Sequence, residues 1–391
     1  MKLLWLSELG TGSSFSRVTE EMATEIHKLG HEIHVISKYP EVKTKYTYMF
    51  KTWFNGEIKR DEFYDVLIFL GSTDDAISMI GLFKEVSAEL KCCYCPIEFK
   101  NNKCEKLNFY DKIFTMTEFG KQVINIPSKT FIINHGSSAG SFFKLNRKLC
   151  RKRCREYGIN IEDGDFVIFN GNRNEYRKRL DLTIKSFLKF KETVCPHAKL
   201  LLHCGKYESK DPSIIMTSQH SKTEEHPNFT SGFLNIIYNA SDIGINTSLG
   251  EGWGLVSFEM ASIGIPQVVP NFSSYPEIFG GLQGHELVDV TEEEIGWCGN
   301  EKENSYKPIG GVISIDDCVE KLKKIYKNYN SYYLKAQNNF SPISYKKVTS
   351  DLLLSIRMDH PDDVECKNFK ICKGVADFRI EYCSQCHWMY H

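Results

Sequence analysis

The 391-residue chain has no long apolar run. Its longest uninterrupted apolar stretch is Val66 to Leu70, against the roughly 20 residues that a bilayer-spanning helix needs. A transmembrane helix is therefore not expected. The start, MKLLWLSELG, holds one Lys and a four-residue apolar run, too short for the hydrophobic region of a secretory signal, so the expected location is cytoplasmic. Net charge is nearly absent too, with 49 Lys and Arg against 50 Asp and Glu. No global field gathers nucleic acid or anionic lipid, and any such binding must be local; nucleic acid is not an expected partner. The 14 Cys are scattered, with Cys92, Cys93 and Cys95 crowded together, unlike the dense framework of a small secreted domain. Most are expected to be reduced thiols. With 41% hydrophobic and 25% charged residues, 27 Gly and 12 Pro, disorder, collagen-like repeats and extended coiled coil are excluded.

What remains is a globular chain of two or three domains, at about 150 residues per domain. Short β-type apolar runs alternate with longer segments of helical period, the pattern of parallel sheets built from βαβ units. Lys2 to Leu6 reads as a first strand and Gly10 to Ser14 as a glycine-bearing loop. Phe15, Val18, Met22, Ile26 and Leu29 recur at steps of three and four, one buried face of a helix ending at Gly30. Further strands are expected at 33–37, 66–70, 92–95, 112–116 and 130–134. A basic helical segment at 144–158 interrupts the pattern, which restarts with strands at 166–169, 199–203, 242–246 and 267–269 and helices at 180–191, 256–263 and 316–335. Two doubly wound halves follow. Their ligands are expected beyond the carboxyl ends of the strands, in the cleft between halves.

The sharpest chemical signal is Asn246 to Pro270, in which a strand leads into a loop of small residues and then a helix, with Glu251 and Glu259 eight apart. A glycine-rich turn at a helix N-terminus exposes backbone N–H groups and the positive end of the dipole, a seat for phosphate. The pattern alone also fits a turn whose carboxylates merely cap the helix. Its wording is more specific. Glu251-x7-Glu259, with Gly252, Trp253, Gly254, Leu255 and Val256 between them and Ala261, Gly264 and Pro266 after, resembles the donor-site signature of GT-B glycosyltransferases of family 4, the mannosyltransferase-like group 1 enzymes. Asn172 to Asp181 resembles the block in which that family holds the donor diphosphate with an Arg and a Lys, which map to Arg173 and Lys178. Gly10 to Val18, containing Gly12 and Ser14, resembles its glycine loop, and the blocks at 94–98, 117–120 and 134–136 match further landmarks in order.

The resemblance implies an α/β GT-B fold: two Rossmann-like, doubly wound parallel-sheet domains facing a cleft, with a short Cys-rich tail. The expected division is an acceptor domain at 1–158, a nucleotide-sugar donor domain at 159–340, a helix returning to the first half at 341–358, and a tail at 359–391. It implies transfer of a sugar, mannose favoured, from a nucleotide diphosphate donor to a hydroxyl of a glycan or glycolipid, with retention of configuration. GDP-mannose is the favoured donor and a UDP-sugar the second; no cofactor is required. Arg173 and Lys178 would bind the diphosphate with backbone N–H groups near Gly12, Gly254 and Leu255, two cations offsetting the charge that develops on the leaving group. Glu251 would hold the sugar hydroxyls and Glu259 the ribose. On the acceptor side stand Ser14 and Glu98; Glu98 either orients an acceptor hydroxyl or faces solvent. His135 is catalytic by type, but a packed imidazole is the favoured reading.

Several features stay outside the resemblance. Seven cations fall between Lys144 and Arg155; peripheral contact with an anionic membrane is the functional reading and a solvated linker helix the favoured one. Asp163-Gly164-Asp165 has the look of a metal-binding triplet, but before a strand it reads as a turn. In the tail, Cys383 and Cys386 have zinc-ligand spacing and Cys366 with Cys372 would complete a tetrahedral structural site, against free thiols. The stretch from His203 to Tyr238 looks short for a base pocket. Competing functional classes are another GT-B sugar-nucleotide enzyme and a catalytically inactive GT-B binding protein.

Overall fold

The computed structural model describes residues 1–11, 13–37, 51–53, 62–205, 207–217, 230–295, 307–361, 380–381 and 389–390. Gly12, Phe229 and the tail cysteines Cys366, Cys372, Cys383 and Cys386 lie outside them.

The first half is wound from β1 (Lys2–Ser7), α1 (Ser14–Lys28), β2 (Glu32–Ser37), β3 (Lys51–Trp53), β4 (Tyr64–Leu70), α2 (Thr73–Glu85), β5 (Ala88–Tyr94), β6 (Lys112–Thr115), α3 (Glu118–Ile124) and β7 (Thr130–Ile132). Its seven strands lie in the order β3-β2-β1-β4-β5-β6-β7, every pair parallel. The order reverses at β1, so the β1–α1 loop opens at the crevice where ligands of such sheets bind. Ser13 caps α1 by accepting from the Ser16 backbone N–H; Val18, Met22 and Ile26 of the predicted stripe are buried, Phe15 is half-buried, and Leu29, at the C-cap, is exposed.

The second half contains α4 (Arg147–Glu156), β8 (Phe166–Asn170), α5 (Leu180–Thr193), β9 (Ala198–Leu202), β10 (Ile214–Met216), α6 (Ser231–Ala240), β11 (Ile243–Ile245), α7 (Leu255–Ser262), β12 (Gln267–Pro270), α8 (Tyr275–Phe279) and β13 (Glu286–Val288). Its six strands run in the order β10-β9-β8-β11-β12-β13, again parallel. A hairpin of β14 (Val290–Glu294) and β15 (Ile309–Ile313) follows, then α9 (Ile315–Lys327), α10 (Tyr329–Asn339) and α11 (Tyr345–Arg357). The single helix expected at 316–335 is two, divided at Asn328, which caps the end of α9. No signal in the sequence reading marked β10, β13 or the hairpin.

The chain crosses back at its end. Val348, Leu352 and Ile356 of α11 join the apolar core of the first half, which also takes in Trp253, Leu255 and Phe258 from the second. Lys112 is buried at the end of α11, its ammonium donating to the carbonyls of Ser355 and, through a short contact, Met358. Gly136 permits this approach, since a Cβ there would stand 2.7 Å from the Tyr345 backbone nitrogen.

The basic segment is turned inward only in part: Arg151 is buried, Arg147 and Arg155 are half-buried, and Lys144, Lys148, Lys152 and Arg153 are exposed. Cys150 and Cys154 of α4 pack with Ile161, Val167 and Tyr238, so this helix, which precedes the boundary expected at 158, builds the core of the second half. Arg147 and Arg151 both pair with buried Asp242, at 2.8 and 2.6 Å. Arg151 also donates to four backbone carbonyls, and Lys144 to that of Ile263. Asp163 and Asp165 lie in a turn, their carbonyls bound by Arg151. The cysteines of the described residues are free and buried; burial pushes the thiols of Cys92 and Cys104 up to about 12, so they are protonated and unreactive. Among the described residues, no helix is long and apolar enough to cross a membrane, and no group of three or more His, Cys, Asp or Glu is arranged to hold a metal.

Candidate active site

A cavity of about 310 Å³ lies between the halves, at the carboxyl ends of β1, β8 and β11. It is walled by the β1–α1 loop, the loop after β5, the β8–α5 loop and the loop from Asn246 into α7.

The last of these is shaped by its own small residues. Asn246 accepts from the Ser248 backbone N–H at 2.8 Å, and the Ser273 hydroxyl both accepts from the Glu251 N–H and donates to the Glu251 carbonyl. Gly254 adopts φ 78° as it enters α7. A side chain there is strained by conformation and meets Tyr275, whose ring a Cβ would approach to 2.6 Å. The first N–H groups of α7, at Leu255 and Val256, have no partner within the helix, and both residues line the cavity.

Glu251 ends at the centre of a charge network. Its Oε1 accepts from Lys178 Nζ at 2.6 Å and from the Ser248 hydroxyl at 2.7 Å, and its Oε2 from Arg177 at 3.3 Å. Arg177 also reaches the Gly250 carbonyl at 2.9 Å and Glu98 of the first half at 2.9 Å. Burial pushes the Glu251 carboxyl up, but Lys178 and Arg177 outweigh it and hold it down to about 2. Burial and neighbouring Arg177 lower Lys178 against the opposing pull of Glu251 and Glu98. Burial raises Glu98, and Arg177 offsets part of that. Two carboxylates and two cations thus share a nearly closed wall.

The two cations meeting Glu251 are neighbours in sequence, and Arg173 is not one of them. The chain makes a 3₁₀ turn at Tyr176–Lys178 and Arg179 takes φ 44°, which turns both Arg177 and Lys178 inward. Arg173 lines the cavity at its rim, its side chain 54% exposed and 3.5 Å from Glu175, while Asn172 beside it is buried. Sequence reasoning missed Arg177; its signal was only adjacency to Lys178. Glu98, expected as an acceptor contact or a solvent-facing group, lines the cavity and is held there by Arg177. Ser14 is exposed at the cavity edge. Gly252 and Trp253 line the wall, and a Cβ on Gly252 would lie 2.3 Å from Pro96 Cβ of the opposite half.

His135 is packed, and it also lines the cavity. Tyr94 donates its hydroxyl to the Ile133 carbonyl at 2.7 Å, so at 3.1 Å from His135 Nδ1 it accepts, which assigns the proton to Nδ1. Burial lowers the ring to about 3, leaving it neutral at pH 7. Glu259 is buried and does not line the cavity; it pairs with Arg17 of α1 at 2.8 Å and accepts from the Tyr238 hydroxyl at 2.9 Å. Arg17 was not singled out in the sequence, because its partner stands 242 residues away.

Residues 157–294 match the family model described as Glycosyl transferases group 1. No curated protein matches the chain. Among solved structures it is similar to HepE of Anabaena in complex with UDP and glucose, with a TM-score of 0.66 at 11% identity over 91% of this chain and 99% of that one. Sucrose-phosphate synthase from Thermosynechococcus elongatus gives 0.62 at 10%, over 91% and 98%. A glycosyltransferase from Rickettsia africae gives 0.62 at 14%, over 91% and 97%. At such identities the likeness is one of fold. That fold is GT-B, and the match to the group 1 family model lies within its second half.

Proposed function

We propose that the protein transfers a sugar from a nucleoside diphosphate donor to a hydroxyl of a glycan or glycolipid acceptor, with retention of configuration. The observation that carries this reading is the convergence of Lys178, Arg177 and the start of α7 on one cavity wall with Glu251 among them. Departure of a nucleoside diphosphate concentrates negative charge on its phosphate oxygens. Fixed cations and backbone dipoles in a water-poor cleft stabilise that charge with no reorganisation at the moment of reaction.

In this reading Lys178 binds the diphosphate, Arg173 swings in from the rim, and the N–H groups of Leu255 and Val256 complete the seat. Glu251 is anionic at any working pH and offers its oxygens to donor-sugar hydroxyls. Retention is the stereochemistry implied by the resemblance of Glu251-x7-Glu259 to family 4. Because these residues supply the electrostatic stabilisation, transfer is expected to persist in EDTA. GDP-mannose and UDP-sugars are the donors to test first, with release of nucleoside diphosphate measured with and without simple sugars and glycolipids as acceptors. Acceptor-dependent release supports a transferase. Release that ignores every acceptor would favour another sugar-nucleotide enzyme, and no release from any donor would favour an inactive binding protein.

A further inference from the structure

The resemblance gives Glu259 a ribose contact, but its surroundings point elsewhere. Both carboxylate oxygens are engaged: Arg17 Nη1 stands 2.8 Å from Oε1 and 3.0 Å from Oε2, and Tyr238 donates to Oε2 at 2.9 Å. Those two partners line the cavity, whereas Glu259 lies behind them. Arg17 carries a planar fork of five N–H donors. Its Nη1 faces the carboxylate, its Nε is buried with no hydrogen-bond partner, and its plane lies 5.9 Å over the Phe142 ring. The fork is held and still has donors to give.

The charge arrangement separates Arg17 from the other cations. The carboxylates that offset Lys178, Arg177 and Arg173 line the cavity beside them, whereas the one that offsets Arg17 sits behind the wall. Glu8 of the β1–α1 loop also lines the cavity and accepts from the hydroxyls of Thr11 and Ser13, while the ion pair of Arg17 is made with Glu259 behind the wall.

We propose that Glu259 is a positioning residue that never touches the donor: it holds Arg17 and Tyr238 at the cavity wall, and Arg17 is the cation of the first half that touches the donor diphosphate. The inference rests on the nucleotide-sugar reading above. Arg17 comes from α1 and Glu259 from α7, so the diphosphate site is complete only when the two halves meet, and donor binding is coupled to closure.

The test is calorimetric titration of wild type, Arg17→Gln, Arg17→Lys, Glu259→Gln and the Arg17→Gln/Glu259→Gln pair with UDP, GDP, ADP and their 2′,3′-dideoxy analogues. A charge-assisted bond to phosphate predicts that Arg17→Gln weakens the diphosphate that binds by about tenfold to hundredfold, with Arg17→Lys in between. Glu259→Gln should weaken the ribo and dideoxy forms by the same factor, and the pair should bind no worse than Arg17→Gln alone. A Glu259→Gln loss that disappears with the dideoxy analogue would restore the ribose contact and overturn the proposal, even if an Arg17 variant fails to fold. Wild-type binding retained in full by Arg17→Gln overturns it as well. A folded wild type that binds none of the nucleotides removes the functional reading and this inference together.

Discussion

Replacing Lys178 by Met leaves the shape of the wall nearly intact and removes the cation 2.6 Å from Glu251. The carboxylate, 6% exposed, then keeps only Arg177, Ser248 and a long contact from Asn246. Two routes give the cost. Breaking a buried pair by removing one partner destabilises by about 3–5 kcal/mol. Independently, Glu251 is held at about 2 against an ordinary 4.5, which at about 1.4 kcal/mol per pK unit is about 3 kcal/mol of native-state stabilisation. A carboxyl lowered on folding contributes stability that is present above pH 4.5 and is lost as pH falls through 2. Lys178→Met should therefore cost about 3 kcal/mol in urea unfolding at pH 7 and flatten the stability profile between pH 4.5 and 2. The Lys178→Met/Glu251→Gln pair removes both charges and should recover to within about 1 kcal/mol of wild type, because neither partner is left stranded. Additive losses in the pair, or a loss below about 0.5 kcal/mol in the single variant, would refute the network as described.

Gly250→Ala should weaken donor binding and transfer together. Its Cβ would lie 2.0 Å from the Glu98 carbonyl oxygen across the cleft, well inside the roughly 3.3 Å of a close C···O contact, so calorimetry should show nucleotide binding weakened and turnover should fall at least tenfold. His135 and His285 are lowered by burial to about 3 and about 4; both are neutral in the native protein, so their contribution is full above pH 6.5 and is lost as pH falls through those values. With two protons taken up on unfolding, this pair contributes a fall of about 2.7 kcal/mol per pH unit near pH 5. His285 has neither ring nitrogen hydrogen-bonded and packs on Phe279 and Phe340, so His285→Phe should halve that slope and raise Tm, read by calorimetry at pH 7 and 5. Asp242→Asn should cost about 3–5 kcal/mol, since it strands Arg147 and buried Arg151 together. Sedimentation with anionic vesicles tests the remaining surface of α4: with Arg147 and Arg151 committed to Asp242, Lys148, Lys152, Arg153 and the 67% exposed Leu149 should give weak binding that vanishes at physiological salt.

The fold was legible where burial has a short period. Val18, Met22 and Ile26 mark α1, and the strands of both sheets other than β3, β10 and β13 stand out as apolar runs, as expected of strands buried by neighbours on both faces. The cavity wall was legible in Glu251, Gly254 and Lys178, whose placement depends on one turn and one helix start. Arg177 was not, because which of several neighbouring cations faces inward is decided by the 3₁₀ turn and the positive φ of Arg179. The pairs Arg17–Glu259 and Glu98–Arg177 join opposite halves, and no local period encodes a contact of that range. The basic run of α4 was legible only in part for a related reason: Arg147 and Arg151 serve Asp242 and buried carbonyls, while Arg153 stays on the surface paired with Glu156. The β14–β15 hairpin escaped notice because its first strand, Val290–Glu294, is mostly acidic and exposed, with no apolar alternation to reveal it.

The most direct measurement is titration of the purified wild-type chain with UDP, GDP and ADP, alongside the charge-balanced Lys178→Met/Glu251→Gln variant, with circular dichroism confirming that both are folded. The account predicts that wild type binds one of the three selectively and that the variant loses that binding by at least tenfold. A folded wild type that binds none of them, or a variant that binds as tightly as wild type, would contradict it.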